Sequence, residues 1–228
     1  MPNASLEHPQ CTAFDRRHVV ESPLPVSSRA QLFIDSLLIG ETQNIVSTLH
    51  PGEKHPANPL LSPDRPWEGW RVQMGGDVLF DEEEGLFKMW YMADGDGHFR
   101  PACPTLYATS RDGLHWEKPH VGTIPCRDHE AHNAVSTVHS ASVIKDLREE
   151  DPARRYKMTA IVKGHEFRGQ LFGYRTLVSP DGLHWEFYGY NPIAPGSDVI
   201  TGFHFNERLG RYVVIVRRLT PSRGFERR

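Results

Sequence analysis

Apolar positions in this chain come in short bursts bounded by turn residues. Asp77–Asp81, Leu86–Ala93, Thr105–Thr109, Ser142–Asp146, Tyr156–Val162 and Tyr174–Val178 are runs of strand length. Runs this short, rich in β-branched and aromatic residues and flanked by Gly, Pro, Asn or Asp, predict β-strands rather than helices. Polar segments join them: Glu82-Glu83-Glu84-Gly85, Leu147 to Arg155, and Glu207-Arg208-Leu209-Gly210. That last turn sits between a further predicted pair, Thr201–Asn206 and Arg211–Arg217. Upstream, Gln31–Ile39 is the first strong apolar run and reads as extended. His55-Pro56-Ala57-Asn58-Pro59-Leu60-Leu61-Ser62-Pro63 follows, with prolines that hold an irregular extended path.

One heptapeptide occurs twice. Ser110-Arg111-Asp112-Gly113-Leu114-His115-Trp116 returns 69 residues later as Ser179-Pro180-Asp181-Gly182-Leu183-His184-Trp185, changed at one position. Asp-Gly is a tight-turn dipeptide, because Gly takes positive φ freely and Asp bonds back to nearby backbone. Each copy follows a strand and precedes another short extended run, so each reads as the hairpin between a third and a fourth strand. Asp81, Asp146 and Asn206 close matching first strands, 65 and then 60 residues apart.

A four-stranded unit repeated along the chain predicts an all-β fold, a β-propeller of four-stranded blades. A β-sandwich is the alternative, but it requires no duplication. The expected division is a polar tail or strap over residues 1–30 and a partial propeller over 31–228. Its units fall at about 70–120, 135–190 and an incomplete 198–228. Two and a half blades do not close a ring, so the remaining blades are expected from further C-terminal sequence.

Composition narrows the function classes. The chain has 228 residues and a net charge of −3, which argues against a general affinity for nucleic acid or anionic membrane. Five Trp and eleven Phe supply core bulk, while eighteen Pro and nineteen Gly favour turns over long helices. Cys11, Cys103 and Cys126 are too few and too odd in number for a disulfide framework. No membrane-spanning run and no signal peptide are visible, so a cytoplasmic location is the default expectation.

In an up-and-down blade, the starts of the first strands and the 2-to-3 loops share one rim. Glu68, Arg71 and Asp77 lie there, then His139, Ser140 and Ser142, then Asp198, Thr201 and His204. The 2-to-3 loops add Asp94, Asp96, His98 and Arg100 in one unit and His165, Glu166 and Arg168 in the next. Carboxylates, imidazoles and guanidinium groups converging on a funnel suit a polyhydroxylated or anionic ligand, and Trp67 and Trp70 could stack on a sugar face. The Asp-Gly turns, on the opposite rim, read as structural. Cys126-x-x-His129-x-x-His132 has zinc-binding residue types, but its spacing is unusual and no fourth ligand is evident, so it reads as a solvated loop. No metal or cofactor is expected.

The His-Pro-x-Asn-Pro-Leu-Leu approach, Trp67-Glu68-Gly69 and the Ser-x-Asp-Gly-Leu-His-Trp turns resemble the five-bladed propeller glycosidases. That is the superfamily of β-fructosidases, arabinanases and β-xylosidases, especially bacterial members similar to the family 32 N-terminal domain. The resemblance covers roughly residues 30 to 228. It implies five blades and glycoside hydrolysis by paired carboxylates. By position, Glu68 or Asp77 would be the first-blade nucleophile or base and Asp198 the third-blade candidate. Trp67, Arg71, His98, Arg100, His139, Glu166, Arg168 and His204 would bind substrate. The invertase-type Trp-Met-Asn-Asp-Pro-Asn and Arg-Asp-Pro elements are absent, His139 and Ser142 stand where a second-blade Asp is expected, and no Glu stands on the third inner strand. A non-catalytic carbohydrate-binding propeller, or an inactive fragment of a larger enzyme, is therefore the competing expectation.

Overall fold

The computed structural model describes residues 28, 30, 32–33, 38–75, 77–94, 104–162, 173–189, 193–195 and 200–216. The chain divides into residues 1–53 and 54–228. The described residues of the first unit form no helix or strand, and Leu32, Phe33, Ile45, Val46 and Leu49 are exposed. The extended run expected over 31–39 lies largely outside the described residues.

The second unit is all-β: its only helical pieces among the described residues are 3-10 turns at Pro66–Glu68 and Pro152–Arg154. No helix of the described residues is long and apolar enough to cross a membrane. The first module comprises β1 (Val72–Gln73), β2 (Val78–Asp81), β3 (Leu86–Ala93), β4 (Thr105–Ser110) and β5 (Ala134–Ser136). The second comprises β6 (His139–Lys145), β7 (Tyr156–Val162), β8 (Gly173–Ser179), β9 (Glu186–Tyr188) and β10 (Ala194–Pro195), and a hairpin of β11 (Ile200–Asn206) and β12 (Arg211–Val216) follows. All pairing is antiparallel, and each module is a separate sheet.

The two full sheets have one plan. β1 and β2 are two pieces of one inner strand, both paired to β3. β4 pairs with the other edge of β3, as β8 does with β7. The outer strand is also in two pieces: β9 and β10 both pair with β8. In the first module, Glu117 bridges to Thr109 and β5 pairs with β4 after a detour. The fourth strand expected near Trp116 is therefore one bridge long. The chain leaves at Lys118, pairs Gly122 and Thr123 back to His132 and Ala134, and only then completes the edge. Cys126 and Ile124 on this detour pack against the core, so the segment expected to cross as a solvated loop is in part an inward-facing wall.

The middle strands show why alternation is weak in the sequence. β7 is buried at six consecutive positions and β3 at six, because both faces are covered. Neighbours on β3 point to opposite faces. Trp90, with Tyr107 opposite it, packs into a core shared with Val143, Tyr156, Met158 and Leu177 of the second module. Tyr91, with Leu106, faces away and is covered by Trp67, Leu61 and Trp116. Ile161 and Tyr174 of the second module receive Val214 and Val216 of the β11–β12 hairpin. Sheets stacked face to face in chain order, with inner strands β2, β6 and β11 following one another, are a propeller arrangement. The all-β propeller expectation is met, and separate sheets exclude the single continuous sheet that would have contradicted it.

Candidate active-site rim

Two rims result, and they are built differently. At the rim holding the Asp-Gly turns, order is dense. In each copy the Asp carboxylate accepts two backbone N–H groups: Leu114 and His115 at 2.8 Å, and Leu183 and His184 at 2.8 and 2.9 Å. The adjacent imidazole Nδ1 lies 2.7 Å from the second oxygen of the same Asp in both copies. These turns are braces, as their sequence suggests.

The same rim carries a repeated clamp between modules. Asp81, buried at the end of β2, accepts Lys88 Nζ at 2.8 Å from its own module. From the next module it accepts Lys145 Nζ at 2.7 Å and the Tyr156 hydroxyl at 2.7 Å. Burial pushes the Asp81 carboxyl up, but the bonds from Lys145, Lys88 and Tyr156 outweigh it and hold the group well below the carboxylate range. Asp146, at the end of β6, repeats this with Lys157 Nζ at 3.1 Å and the Tyr212 hydroxyl of the following hairpin. Burial again works against ionisation, and Tyr212 and Lys157 again prevail.

The opposite rim is irregular in all three modules. The ladder takes five steps from Gln73 to Val78 against three from Met92 to Met89 on β3. From His139 to Ser142 it takes three steps against two on β7, and from Ile200 to Gly202 two against one on β12. Extra residues of this kind are β-bulges, which bend a strand and re-aim side chains at barrel rims and active sites. Ser140 sits in the second bulge with φ of 54°, uncommon for a residue with a side chain.

Asp77 lies within the first irregularity. Its Oδ2 accepts the Ser142 hydroxyl and the Val143 N–H, both at 2.5 Å, so it bridges to the second module's bulge. Arg71 pairs with Asp94 at 3.1 Å, and its guanidinium lies 4.8 Å from the Trp70 ring centroid. His139 opens β6 opposite Ile161 and is half-buried. His204 is exposed on β11 opposite Val213. Asp198, His98, Arg100, Glu166 and Arg168 lie outside the described residues.

Glu68 and Trp67 are placed elsewhere. Glu68 is fully buried on the face of the first sheet turned away from the second module. Its carboxylate accepts Lys118 Nζ and the Tyr91 hydroxyl at 2.7 Å each, and the backbone N–H groups of Asp64 and Arg65 at 2.9 and 3.0 Å. Lys118 also bonds the Ser62 carbonyl and Asp64. Trp67 is 5 % exposed, donates its indole N–H to Asn133 at 2.8 Å, and has the His129 and His132 rings against it. Its ring has no face open to a sugar. Burial lowers His132 below the usual histidine range, assisted by His129 and His120, and its Nδ1 accepts the Ala134 N–H. Among the described residues no three His, Cys, Asp or Glu side chains stand close enough to hold a metal ion.

Sequence reasoning placed Asp77, Arg71, His139 and Ser142 on one rim, and the structure brings Asp77 and Ser142 into contact. It did not anticipate that Lys118, Tyr91 and Asn133 enclose Glu68 and Trp67. A lone lysine after a Trp-Glu pair gives no sign of that role.

No family model matches this chain, and no curated protein is similar to it. Solved structures are. One is a β-fructofuranosidase from Schwanniomyces occidentalis complexed with fructosyl-erythritol, with TM-score 0.44 and 17 % identity, over 65 % of this chain and 30 % of that one. Another belongs to work on the GH130 family of mannoside phosphorylases, described as containing glycoside hydrolases that target β-1,2 mannosidic linkages in Candida mannan. There the TM-score is 0.42 and the identity 16 %, over 65 % of this chain and 44 % of that one. The chain therefore spans less than half the length of either.

Proposed function

We propose that this chain belongs to a glycoside hydrolase-like propeller and that its glycan is held at the irregular rim. The observation that carries this reading is that all three inner strands break their ladder at the same end. The opposite end is closed by clamps and braced turns. Breaking regular pairing costs backbone hydrogen bonds, and a threefold recurrence at one level is what a ligand site accounts for. The rim offers Asp77, the Arg71–Asp94 pair, His139 and His204, groups that donate to and accept from sugar hydroxyls. Asp77 and Asp198 are the proposed carboxylate pair, one as nucleophile or base and one as acid. His98, Arg100, Glu166 and Arg168 are proposed substrate contacts from the loops of the same rim. Glu68, with both oxygens committed, is assigned to bracing.

A second reading has its own support. Asp77 Oδ2 is committed to Ser142 and Val143. A carboxylate tied across two modules suits a rigid binding surface as well as it suits chemistry, so glycan binding without turnover is the alternative. The full chain, offered sucrose, arabinan, xylan and mannan, tests both. Under the first reading Asp77→Asn and Asp198→Asn each slow hydrolysis by about 100-fold or more, the usual scale for losing an acid–base group. Unchanged hydrolysis in both variants would discard the assignment, and saturable binding with no hydrolysis by the parent protein would select the alternative.

A further inference from the structure

Away from the irregular rim, a groove of about 450 Å³ runs along the outer edge between the first two modules. One wall is the detour of the first module with β5, through Thr123, Ser136 and Thr137; the other is the second Asp-Gly turn with β9, through His184, Trp185 and Phe187. The walls are joined where the Thr123 hydroxyl meets both the Val135 and the Leu183 carbonyls, at 3.0 and 3.1 Å. Among the described residues the second module shows no comparable wall: its outer strand resumes at Ala194 soon after Tyr188, whereas the first goes from Glu117 to Ala134. The groove is thus a product of the one long detour, not of the repeat.

We propose that this groove is a separate carbohydrate-binding site that takes one or two sugar rings of a neutral glycan. Its volume falls within the range of small-ligand sites. Its lining joins aromatic rings to hydroxyls, the combination that meets a sugar's apolar face and its polar edge. Phe187 is 45 % exposed, and Arg175 lies 4.3 Å from its ring centroid. His184 is turned by Asp181, whose carboxyl stays ionised down to about 2: burial raises it, but bonds from the His184 backbone and ring lower it further. The proton of the neutral imidazole therefore sits on Nδ1, and Nε2 is left as an acceptor for a hydroxyl.

The twin turns differ in a way that bears on Trp185. Trp116 donates its indole N–H to its own turn, at the Gly113 carbonyl, 3.1 Å away. The matching Gly182 carbonyl is taken by Trp90 Nε1 at 2.8 Å. Trp185 Nε1 is buried with no partner among the described residues. Among the described residues Trp185 is thus placed by packing against the core of the two modules, without the turn bond that ties Trp116.

The test is titration of the full chain with xylohexaose, arabinohexaose, mannohexaose and sucrose, read by tryptophan fluorescence and by calorimetry. His184→Ala and Phe187→Ala change exposed positions, and Thr137→Arg fills the groove; thermal melts of each check folding. Each is expected to weaken one of these probes by about tenfold, or about 1.4 kcal/mol, while Asp77→Asn leaves that binding step unchanged. Binding lost only in Asp77→Asn overturns the groove site and supports the rim. Probe binding equal in parent and all three groove variants, or no binding of any probe by the parent, also overturns it. Loss in the groove variants with no hydrolysis anywhere keeps the groove and removes the enzymatic reading.

Discussion

Tyr156 donates its hydroxyl to Asp81 at 2.7 Å across the boundary between two sheets, and Tyr212 does the same to Asp146 across the next. Each buried carboxylate thus answers to a lysine of its own module and a tyrosine of the following one. The residue that ends the first strand of the third unit is Asn206, whose Oδ1 accepts the Leu209 N–H at 3.0 Å, a turn role Asp146 also fills toward Arg148.

Removing the shared carboxylate leaves Lys88 and Lys145 only the exposed Glu84 and Glu83 as anionic partners. Asp81→Asn leaves two ammonium groups, Lys88 and Lys145, beside a neutral amide, and Lys88 is 2 % exposed. Destabilisation of about 3–5 kcal/mol is expected, as for other broken buried pairs. Tyr156→Phe removes one bond to a charged acceptor and should cost about 1.5–3 kcal/mol. Urea unfolding of the two variants measures both, and Asp81→Asn should be the more damaging.

The same clamp sets the acid limit of the fold. Asp81 and Asp146 have folded pKa values below those of the unfolded chain, about 3.9 for an aspartate. Their contribution is complete above that unfolded value. It is lost as pH falls further, because the unfolded chain takes up protons that the folded one refuses. Urea midpoints should hold steady from pH 7 to about 5 and fall steeply below about 4, and Asp81→Asn should flatten part of the fall.

The twin turns offer an internal control. Gly113 and Gly182 have φ of 75° and 79°, so alanine at either pays the left-handed penalty of about 1–2 kcal/mol. A Cβ at 113 meets only Phe87, at 3.7 Å, whereas at 182 it lies 2.8 Å from the Trp90 ring. Gly182→Ala should therefore lower the melting temperature clearly more than Gly113→Ala, and equal shifts would mean that the Trp90 contact is not firm.

Glu68→Gln separates bracing from chemistry. Lys118, with a side chain 3 % exposed, loses its buried carboxylate partner. Stability should drop by about 3–5 kcal/mol, while any hydrolysis per folded molecule stays at the parent rate. Full loss of rate in a well-folded Glu68→Gln would return this residue to the site.

The strands were legible where short range decides them. Leu86–Ala93 and Tyr156–Val162 are read to the residue, because polar and turn-forming residues bound both apolar runs in the sequence. The Asp-Gly copies revealed the repeat, since the same bracing bonds from the Asp carboxylate recur in two nearly identical sequences. The broken outer strand was not legible. Nothing local to Trp116 says that the chain will wander from Lys118 to Asn133 before pairing again. Glu68 misled for a related reason: its neighbours suit an exposed strand start, but Lys118 reaches it from 50 positions away. The clamp was visible only as spacing, Asp81 to Asp146, without the tyrosines that give the spacing a purpose.

The direction of that clamp has a consequence for how the chain assembles. Every acceptor waits for a donor synthesised later, so an emerging chain holds Asp81 incomplete until Tyr156 has been made, and Asp146 until Tyr212. During synthesis the boundaries are therefore expected to close from the amino end forward, one at a time. Limited proteolysis of stalled nascent chains should find the last boundary open and those before it shut.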